Sequence, residues 1–242
     1  TEPNPKGVFA PLPKGVEAAR NLLLVTVDTL RADRLPWHDS VNDTMPQTHK
    51  LLVKNGVAFD RAYANGVRSQ RSVPSLIIGR SPSHLKWGPD GKDAVSVGAE
   101  NKTLGEHLKA AGFVTHAVIM EKYFAKQKGL TQGFEFHRQR RIKPGFSSWH
   151  KPTSELVTDY TLRLLARLKR SDKRFAVWVH YYDPHIRFTR SRFGKDATAR
   201  YDERLAVTDK ALGRLLRSVD LKTTVVALAS DHGQGLGTHG HH

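Results

Sequence analysis

The chain has 242 residues, enough for one large α/β domain or two small ones, and no run approaches about 18 apolar residues, so it contains no candidate transmembrane helix. Cysteine is absent, which excludes disulfides, thiolate metal ligands and a cysteine nucleophile. The formal net charge of +16 indicates either a surface that attracts a polyanion, such as nucleic acid, an anionic lipid or a charged glycan, or an ordinary basic surface, and no nucleic-acid-binding motif accompanies it.

The first half of the chain is predicted to open with an irregular arm at residues 1–20, because this segment is rich in proline, glycine and lysine. The predicted elements that follow are a strand over 22–27, a helix over 44–56, a strand over 57–63, a short apolar stretch over 72–79 and a helix over 103–111. Thr103 and Glu106 form a capping box at the start of the last of these helices. Residues 21–242 are expected to form the main domain.

The second half continues the alternation. Its predicted elements are a strand over 114–119, a basic loop over 137–152, a helix over 153–170, a strand over 175–180, a helix over 201–219 and a strand over 223–229. An apolar stripe on the first of these helices is predicted to face the core and consists of Leu156, Tyr160, Leu164 and Leu168. Strands that alternate with helices predict a three-layer αβα sandwich with a mostly parallel central sheet.

Polar side chains stand directly after two of the predicted strands. Asp28 follows the strand over 22–27, and Asp231 and His232 follow the strand over 223–229. In an open α/β sheet, ligands bind at the carboxyl ends of the strands. Two carboxylates and an imidazole at that edge predict a metal site.

Two further stretches place polar chemistry near strand ends. In Arg-Ser-Val-Pro-Ser, residues 71–75, Ser72 is predicted at a helix start, where backbone N–H groups stabilise an anion. His-Tyr-Tyr-Asp-Pro-His, residues 180–185, follows another strand. Each motif alone is weak, since a strand-end aspartate is often a turn residue and a buried histidine is often a core residue. Their joint occurrence in this order is hard to obtain by accident.

Taken together, these motifs resemble the sulfatase branch of the alkaline phosphatase superfamily over roughly residues 20–242. The matching segments are the opening motif 27–33, the nucleophile motif 72–75 with Gly79-Arg80 after it, the Asp-Pro-His segment 183–185 and the Asp-His-Gly to His-Gly segment 231–240. The resemblance implies an alkaline phosphatase-like α/β fold and a metal-dependent hydrolase of sulfuric or phosphoric esters.

The resemblance also implies a role for each matching residue. Ser72 would be the nucleophile, and the metal would be bound by Asp28, Ser72, Asp231 and His232. His185 would contact the ester oxygens. His239 would either do the same or protonate the leaving group. Substrate binding is expected from His185, His239, Arg80 and Lys122.

Three departures from the typical sulfatase pattern refine these expectations. Leu76 stands where most sulfatases carry arginine, and the segment after Ser72 is about three residues short, which argues against formylglycine at Ser72. The usual Lys-x-His pair is missing, with Lys122 out of step. Thr29 replaces a second aspartate, so one or two Zn²⁺ or Mn²⁺ ions are favoured over Ca²⁺, which prefers about six to eight oxygen ligands.

Three functions remain open from the sequence. The first is a hydrolase of sulfate or phosphate esters, with an anionic lipid or glycan as a candidate substrate. The second is a transferase like the phosphoethanolamine and phosphoglycerol transferases, and the third is a catalytically degenerate domain that binds polyanions. The resemblance implies an extracytoplasmic location, whether periplasmic, secreted or anchored through a segment outside the sequence. Family members continue beyond the His-Gly segment, so the chain is expected to lack a C-terminal part.

Overall fold

The computed structural model describes residues 19–38, 40–90, 95–119, 124, 129–137, 152–185 and 190–237. Its strands are β1 (Asn21–Val27), β2 (Trp87–Asp90), β3 (Val95–Val97), β4 (Val114–Ile119), β5 (Glu135–His137), β6 (Phe175–Tyr181) and β7 (Thr224–Ser230). Its α-helices are α1 (Pro46–Leu51), α2 (Ser69–Ile78), α3 (Leu104–Ala110), α4 (Ser154–Leu168) and α5 (Ala197–Arg217). Among these residues, no helix combines the length and apolar character needed to cross a membrane.

Five strands form a parallel central sheet in the order β5-β4-β6-β1-β7, while β2 and β3 form a separate antiparallel pair. In the central sheet, Val27 at the end of β1 lies opposite both Tyr181 of β6 and Ser230 of β7. The three strands therefore end level with one another. The residues that follow them emerge at one edge of the sheet, as the sequence predicted.

Apolar side chains cover both faces of the sheet. On one face, Leu23 and Val25 of β1 pack with residues of α4 and α5. On the other face, Leu24 of β1 and Trp178 of β6 pack with Val73 and Ile77 of α2. Alternate residues of one strand thus reach opposite layers. This arrangement confirms the three-layer α/β architecture.

The helix start predicted at Thr103 is confirmed in detail. The backbone N–H of Glu106 donates to Thr103 Oγ1 at 3.2 Å, and the Thr103 N–H donates to Glu106 Oε2 at 2.9 Å. Residues 138–151 of the predicted basic loop and residues 1–18 of the predicted arm lie outside the described residues. The division into an arm and one domain therefore stays a prediction.

The apolar stripe predicted on α4 is wrong at its first position. Leu156 is 38% exposed, whereas Val157, Leu164, Leu165 and Leu168 belong to the core. The buried face of α4 also includes Thr158 and Thr161, so apolar residues alone do not reveal it. Their hydroxyls are satisfied locally, since Thr158 Oγ1 lies 2.8 Å from the Tyr181 hydroxyl and Thr161 Oγ1 donates to the Val157 carbonyl at 2.7 Å.

The strand predicted over 57–63 is also wrong. These residues form no strand and are exposed; Val57, Phe59 and Tyr63 are 79%, 77% and 86% accessible. Apolar and polar residues alternate in this segment as they do in a strand. A strand also needs a neighbouring strand to pair with its backbone groups, and no described strand pairs with this segment. The helix predicted over 44–56 is limited to α1 and a short 3₁₀ turn at Val53–Asn55, and the apolar stretch predicted over 72–79 is the greater part of α2.

Replacing Phe59 and Tyr63 with serine should reduce self-association and binding of a hydrophobic dye, because exposed apolar patches promote both. The free energy of unfolding should change by no more than about 0.5 kcal/mol, as for other surface substitutions. Light scattering, dye fluorescence and thermal unfolding measure the three quantities. The control is Val25→Ser, a fully buried position that should destabilise the fold strongly. A large loss of stability in the double variant would show instead that this segment packs against the domain.

Candidate active site

Two carboxylates meet where adjacent parallel strands end. Asp28 follows β1, Asp231 follows β7, and each is 1% exposed. The Asp28 N–H continues the ladder by donating to the Tyr181 carbonyl at 2.8 Å. One ligand atom from each of Asp28, Asp231 and His232 lies within 4.8 Å of the other two. The structure therefore brings together three of the four metal ligands predicted from the sequence.

The carboxylate of Asp231 is oriented by two backbone N–H groups. Its Oδ1 accepts from Thr29 at 3.0 Å and from His232 at 2.8 Å. Thr29 has a φ of 56°, in the left-handed region that β-branched residues rarely adopt. Such a conformation costs about 1–3 kcal/mol and persists where the surroundings hold it. Here the Tyr201 hydroxyl donates to the Thr29 carbonyl at 2.7 Å, which stabilises the turn.

The remaining polar atoms indicate that a cation fits. Asp28 Oδ1 and Asp231 Oδ2 are buried and have no hydrogen-bond partner among the described residues. Burial first, and then the negative charge of Asp28, raises the pKa of Asp231 above its ordinary value. Buried carboxylates that lack donors are unfavourable unless a cation compensates them. The donor set of two carboxylates and one imidazole suits Zn²⁺ or Mn²⁺.

His232 has the geometry of a metal-binding histidine. Its Nδ1 lies 2.7 Å from the Gly233 carbonyl, which can only accept, so the ring proton is assigned to Nδ1. The lone pair is then on Nε2, which lies 3.5 Å from Asp231 Oδ2. A histidine that binds a metal commonly donates its other N–H to a carbonyl in this way.

The structure places Ser69, which the sequence interpretation missed, directly at this imidazole. Ser69 is the first residue of α2, and its Oγ lies 3.0 Å from His232 Nε2. Ser72, the predicted nucleophile, lies one turn later with a buried Oγ that has no partner among the described residues. The distance from the motif's first serine to Gly79 indicates Ser69. The motif beginning at Ser72 is about three residues too short before Gly79, and a start three residues earlier is Ser69.

The start of α2 is suited to an anion. Arg68 precedes the helix and, in the described structure, provides no side-chain cap. The N–H groups of a first helical turn and the positive end of the helix dipole favour negative charge. Arg68 and Arg71 are both exposed, and Arg71 lies 4.3 Å above the ring of Trp87. The candidate nucleophile thus begins a helix whose first residues carry positive charge.

His185 is delivered to the same edge of the sheet by the turn after β6. Its ring stacks on Tyr182 with centroids 5.1 Å apart, and its Nδ1 lies 3.3 Å from the Tyr182 hydroxyl. The preceding Asp183 accepts hydrogen bonds from the backbone N–H groups of Thr153 and Ser154 at 2.6 and 2.9 Å. Asp183 therefore stabilises the start of α4, and the turn that carries His185 is held firmly.

Arg80, which was also predicted to contact the substrate, does not lie at the centre. Arg80 is exposed and follows Gly79, which ends α2, so the length of the helix, about 15 Å, separates its backbone from Ser69. Lys122 and His239 lie outside the described residues, and their roles stay predictions.

Comparison with known proteins gives a consistent family. The family model described as Sulfatase matches residues 20–242. A curated protein of Haemophilus influenzae (strain ATCC 51907 / DSM 11121 / KW20 / Rd), described as uncharacterized, is 26% identical over 223 residues, which is 88% of this chain and 31% of that protein.

Solved structures share the fold. Ps i-CgsB in complex with k-i-k-neocarrahexaose has a TM-score of 0.72 at 15% identity, covering 93% of this chain and 61% of its own. The C-terminal periplasmic domain of phosphoethanolamine transferase EptC from Campylobacter jejuni has a TM-score of 0.63 at 19% identity, covering 92% and 72%. The chain therefore spans less than a third of its curated relative and about three fifths of the first of these structures.

Asp231→Asn should raise the melting temperature of the metal-free protein. A raised carboxyl pKa in the folded state weakens folding at any pH above that pKa, and asparagine removes the charge while keeping Oδ1 as an acceptor. Each kcal/mol of relief corresponds to roughly 2–4 °C. The difference from wild type should shrink as the pH falls through the raised pKa toward the ordinary value, because wild-type Asp231 is then protonated.

Thermal unfolding with a chelator, repeated across a pH series, measures this difference. With excess Zn²⁺ the order should reverse, because only the wild type gains stability from binding. A metal-free variant that is less stable than wild type at neutral pH would contradict the repulsion between the two carboxylates.

Proposed function

The chain belongs to the sulfatase family, and from this premise we propose that it is a metal-dependent hydrolase of sulfuric or phosphoric esters whose nucleophile is a serine at the start of α2. One observation carries the proposal: Ser69 Oγ lies 3.0 Å from His232 Nε2, beside two buried carboxylates with unpaired oxygens. A hydroxyl next to a metal centre and at a helix start is where an ester of a strong acid can be bound and attacked.

We favour Ser69 over Ser72 as the nucleophile. Ser69 Oγ contacts a candidate metal ligand, whereas Ser72 Oγ has no hydrogen-bond partner among the described residues. If the family motif begins at Ser69, Ser72 takes the place of the motif's second serine. Arg71 and Val73 then stand where typical sulfatases carry proline and arginine. The signal for oxidation to formylglycine is therefore absent, which supports an unmodified hydroxyl.

A divalent cation bound by Asp28, Asp231 and His232 would lower the pKa of the hydroxyl and neutralise charge on the ester. In the attack, the Ser69 oxygen, having lost its proton to solvent, bonds to sulfur or phosphorus while the bond to the bridging oxygen breaks in line. The leaving oxygen keeps the electron pair and takes a proton from His185, from His239 or from water. Water then attacks the sulfur or phosphorus of the serine ester and loses a proton. The bond to Ser69 Oγ breaks, and this oxygen keeps the electron pair and takes up a proton, which releases serine and the inorganic acid.

A transferase is the second candidate, because only the final acceptor differs. An alcohol in place of water would receive the group held on the serine. The unmodified hydroxyl and the fold shared with a phosphoethanolamine transferase domain favour this alternative. The basic surface suits an anionic lipid or glycan as substrate or acceptor, and the likeness to a periplasmic domain supports an extracytoplasmic location.

Ser69→Ala should lower the turnover of aryl phosphate or aryl sulfate esters by about 10³-fold or more, the order of loss seen when a catalytic nucleophile is removed. Ser72→Ala should cause a much smaller loss. Steady-state assays with Zn²⁺, Mn²⁺ and Ca²⁺ measure both. Ser75→Ala is the matched control in the same helix, since Ser75 bonds to Asn65 and to the Arg80 carbonyl, away from the metal centre.

The opposite ranking of the two variants would return the nucleophile to Ser72. Full turnover in both would overturn a serine nucleophile altogether. If the wild type binds anionic glycans or lipids but turns over no ester with any of the three metals, the polyanion-binding function replaces the enzyme.

Intact-mass and peptide-mass measurement should show Ser69 and Ser72 as unmodified serines. Oxidation to formylglycine would lower the mass of one peptide by one hydrogen molecule. Finding that loss at either serine, together with turnover of sulfate esters alone, would assign the chain to the formylglycine-dependent sulfatases.

A further inference from the structure

We propose that His180 is a positioning residue of the metal centre, whose Nε2–H holds Asp28 Oδ2 so that Asp28 Oδ1 faces the cation. This inference rests on the proposed metal centre and adds a residue that no motif assigned to it. His180 lies in β6 directly opposite Thr26 of β1, and it is 1% exposed. Because buried polar groups normally have hydrogen-bond partners, both ring nitrogens of such a deeply buried histidine are expected to have one.

The two ring nitrogens of His180 have different surroundings. Nδ1 lies 2.8 Å from Thr26 Oγ1. Nε2 lies 3.6 Å from Asp28 Oδ2 and has no hydrogen-bond partner among the described residues. Phe124 packs its ring edgewise on the imidazole, with centroids 4.8 Å apart. The ring is therefore held by packing and by Thr26, with its remaining polar atom directed at a predicted metal ligand.

Trp178 assigns the proton on this ring. The Trp178 Nε1–H can only donate, and it donates to Thr26 Oγ1 at 2.9 Å. The hydroxyl of Thr26 then has its own proton to donate, and His180 Nδ1 at 2.8 Å is a nearer acceptor than the Val179 carbonyl at 3.5 Å. Nδ1 therefore accepts, and the proton is on Nε2.

In this proposal the two oxygens of Asp28 have different partners, the His180 N–H for Oδ2 and the cation for Oδ1. Oδ2 faces the His180 N–H at 3.6 Å, beyond the length of a direct hydrogen bond. Oδ1 is buried without a partner and is left for the cation. A direct hydrogen bond would form if the carboxylate turned slightly toward His180. Groups behind a metal ligand commonly fix its orientation in this way. The chain of contacts runs Trp178–Thr26–His180–Asp28, from the core of the sheet to the metal centre.

Two variants of His180 test the proposal through metal affinity. His180→Leu keeps the bulk but removes the N–H, and Zn²⁺ affinity measured by titration calorimetry should fall by about 10–100-fold, as for other outer partners of metal ligands. His180→Gln retains a donor that can reach Asp28 and should recover most of the loss. The control is His116→Gln. His116 is a buried histidine on the neighbouring strand β4, and its Nδ1 lies 3.6 Å from Glu135 Oε2. The Zn²⁺ affinity of this variant should match that of the wild type.

Equal Zn²⁺ affinity in wild type and His180→Leu would overturn the role of His180 while leaving the metal centre intact. A wild type that binds no Zn²⁺ would overturn both. A loss in His180→Leu that His180→Gln does not recover would also overturn the role of the N–H donor.

Nitrogen-15 NMR of the histidine rings gives an independent readout. In the metal-free protein, the His180 signals should show a protonated Nε2 and an unprotonated Nδ1. This tautomer should persist when Zn²⁺ is added, because His180 acts through Asp28. The opposite tautomer, or a shift of Nε2 to that of a zinc-bound nitrogen, would overturn the positioning role.

Discussion

The site depends on one constraint: two carboxylates are buried side by side at the ends of adjacent strands with too few donors to satisfy them. The geometry of parallel pairing forces this proximity, because β1 and β7 end in register. The neighbouring structure serves to keep both groups in place. The backbone N–H of Thr29, which has an unfavourable left-handed conformation, donates to Asp231, and the Tyr201 hydroxyl stabilises that turn. A divalent cation bound between the two carboxylates would replace this repulsion with attraction.

The sequence predicts the features that depend on local pattern and on the rules of parallel sheets. The strands ending at Asp28 and Asp231 are apolar runs, and their shared edge follows from the topology. Residues 57–63 were misassigned because strand formation depends on a partner that no local pattern reports. Ser69 was missed because the Ser-x-Pro-Ser letters at 72–75 matched the family motif, whereas the spacing to Gly79 did not. His180 was passed over because its role arises from Thr26 and Trp178, contacts that form only across strands.

Hydrolase and transferase chemistry share everything that these residues determine. In the proposed mechanism, the attacking hydroxyl, the start of α2 and the carboxylate pair would all act in the formation of the serine ester. The acceptor in the second half decides which reaction results, and it is selected by whatever surrounds the open side of the centre. The fold does not separate the two reactions, since it is shared with a 2-O GAG sulfatase and with a phosphoethanolamine transferase domain. Under this proposal, specificity would depend on exposed basic residues near α2, such as Arg68 and Arg71, rather than on the core.

Among the described strands, β7 pairs only with β1 and lies at one end of the sheet, and Val225 is 51% exposed. An edge strand with one exposed face is the part of a sheet that opens most readily. Asp231 follows this strand, so a cation shared with Asp28 would link the ends of β1 and β7. Hydrogen exchange of the β7 amides would then report on metal occupancy, and chelation would loosen the edge of the sheet before it affects the centre. The ion proposed to activate the hydroxyl would thus also govern the local dynamics of β7.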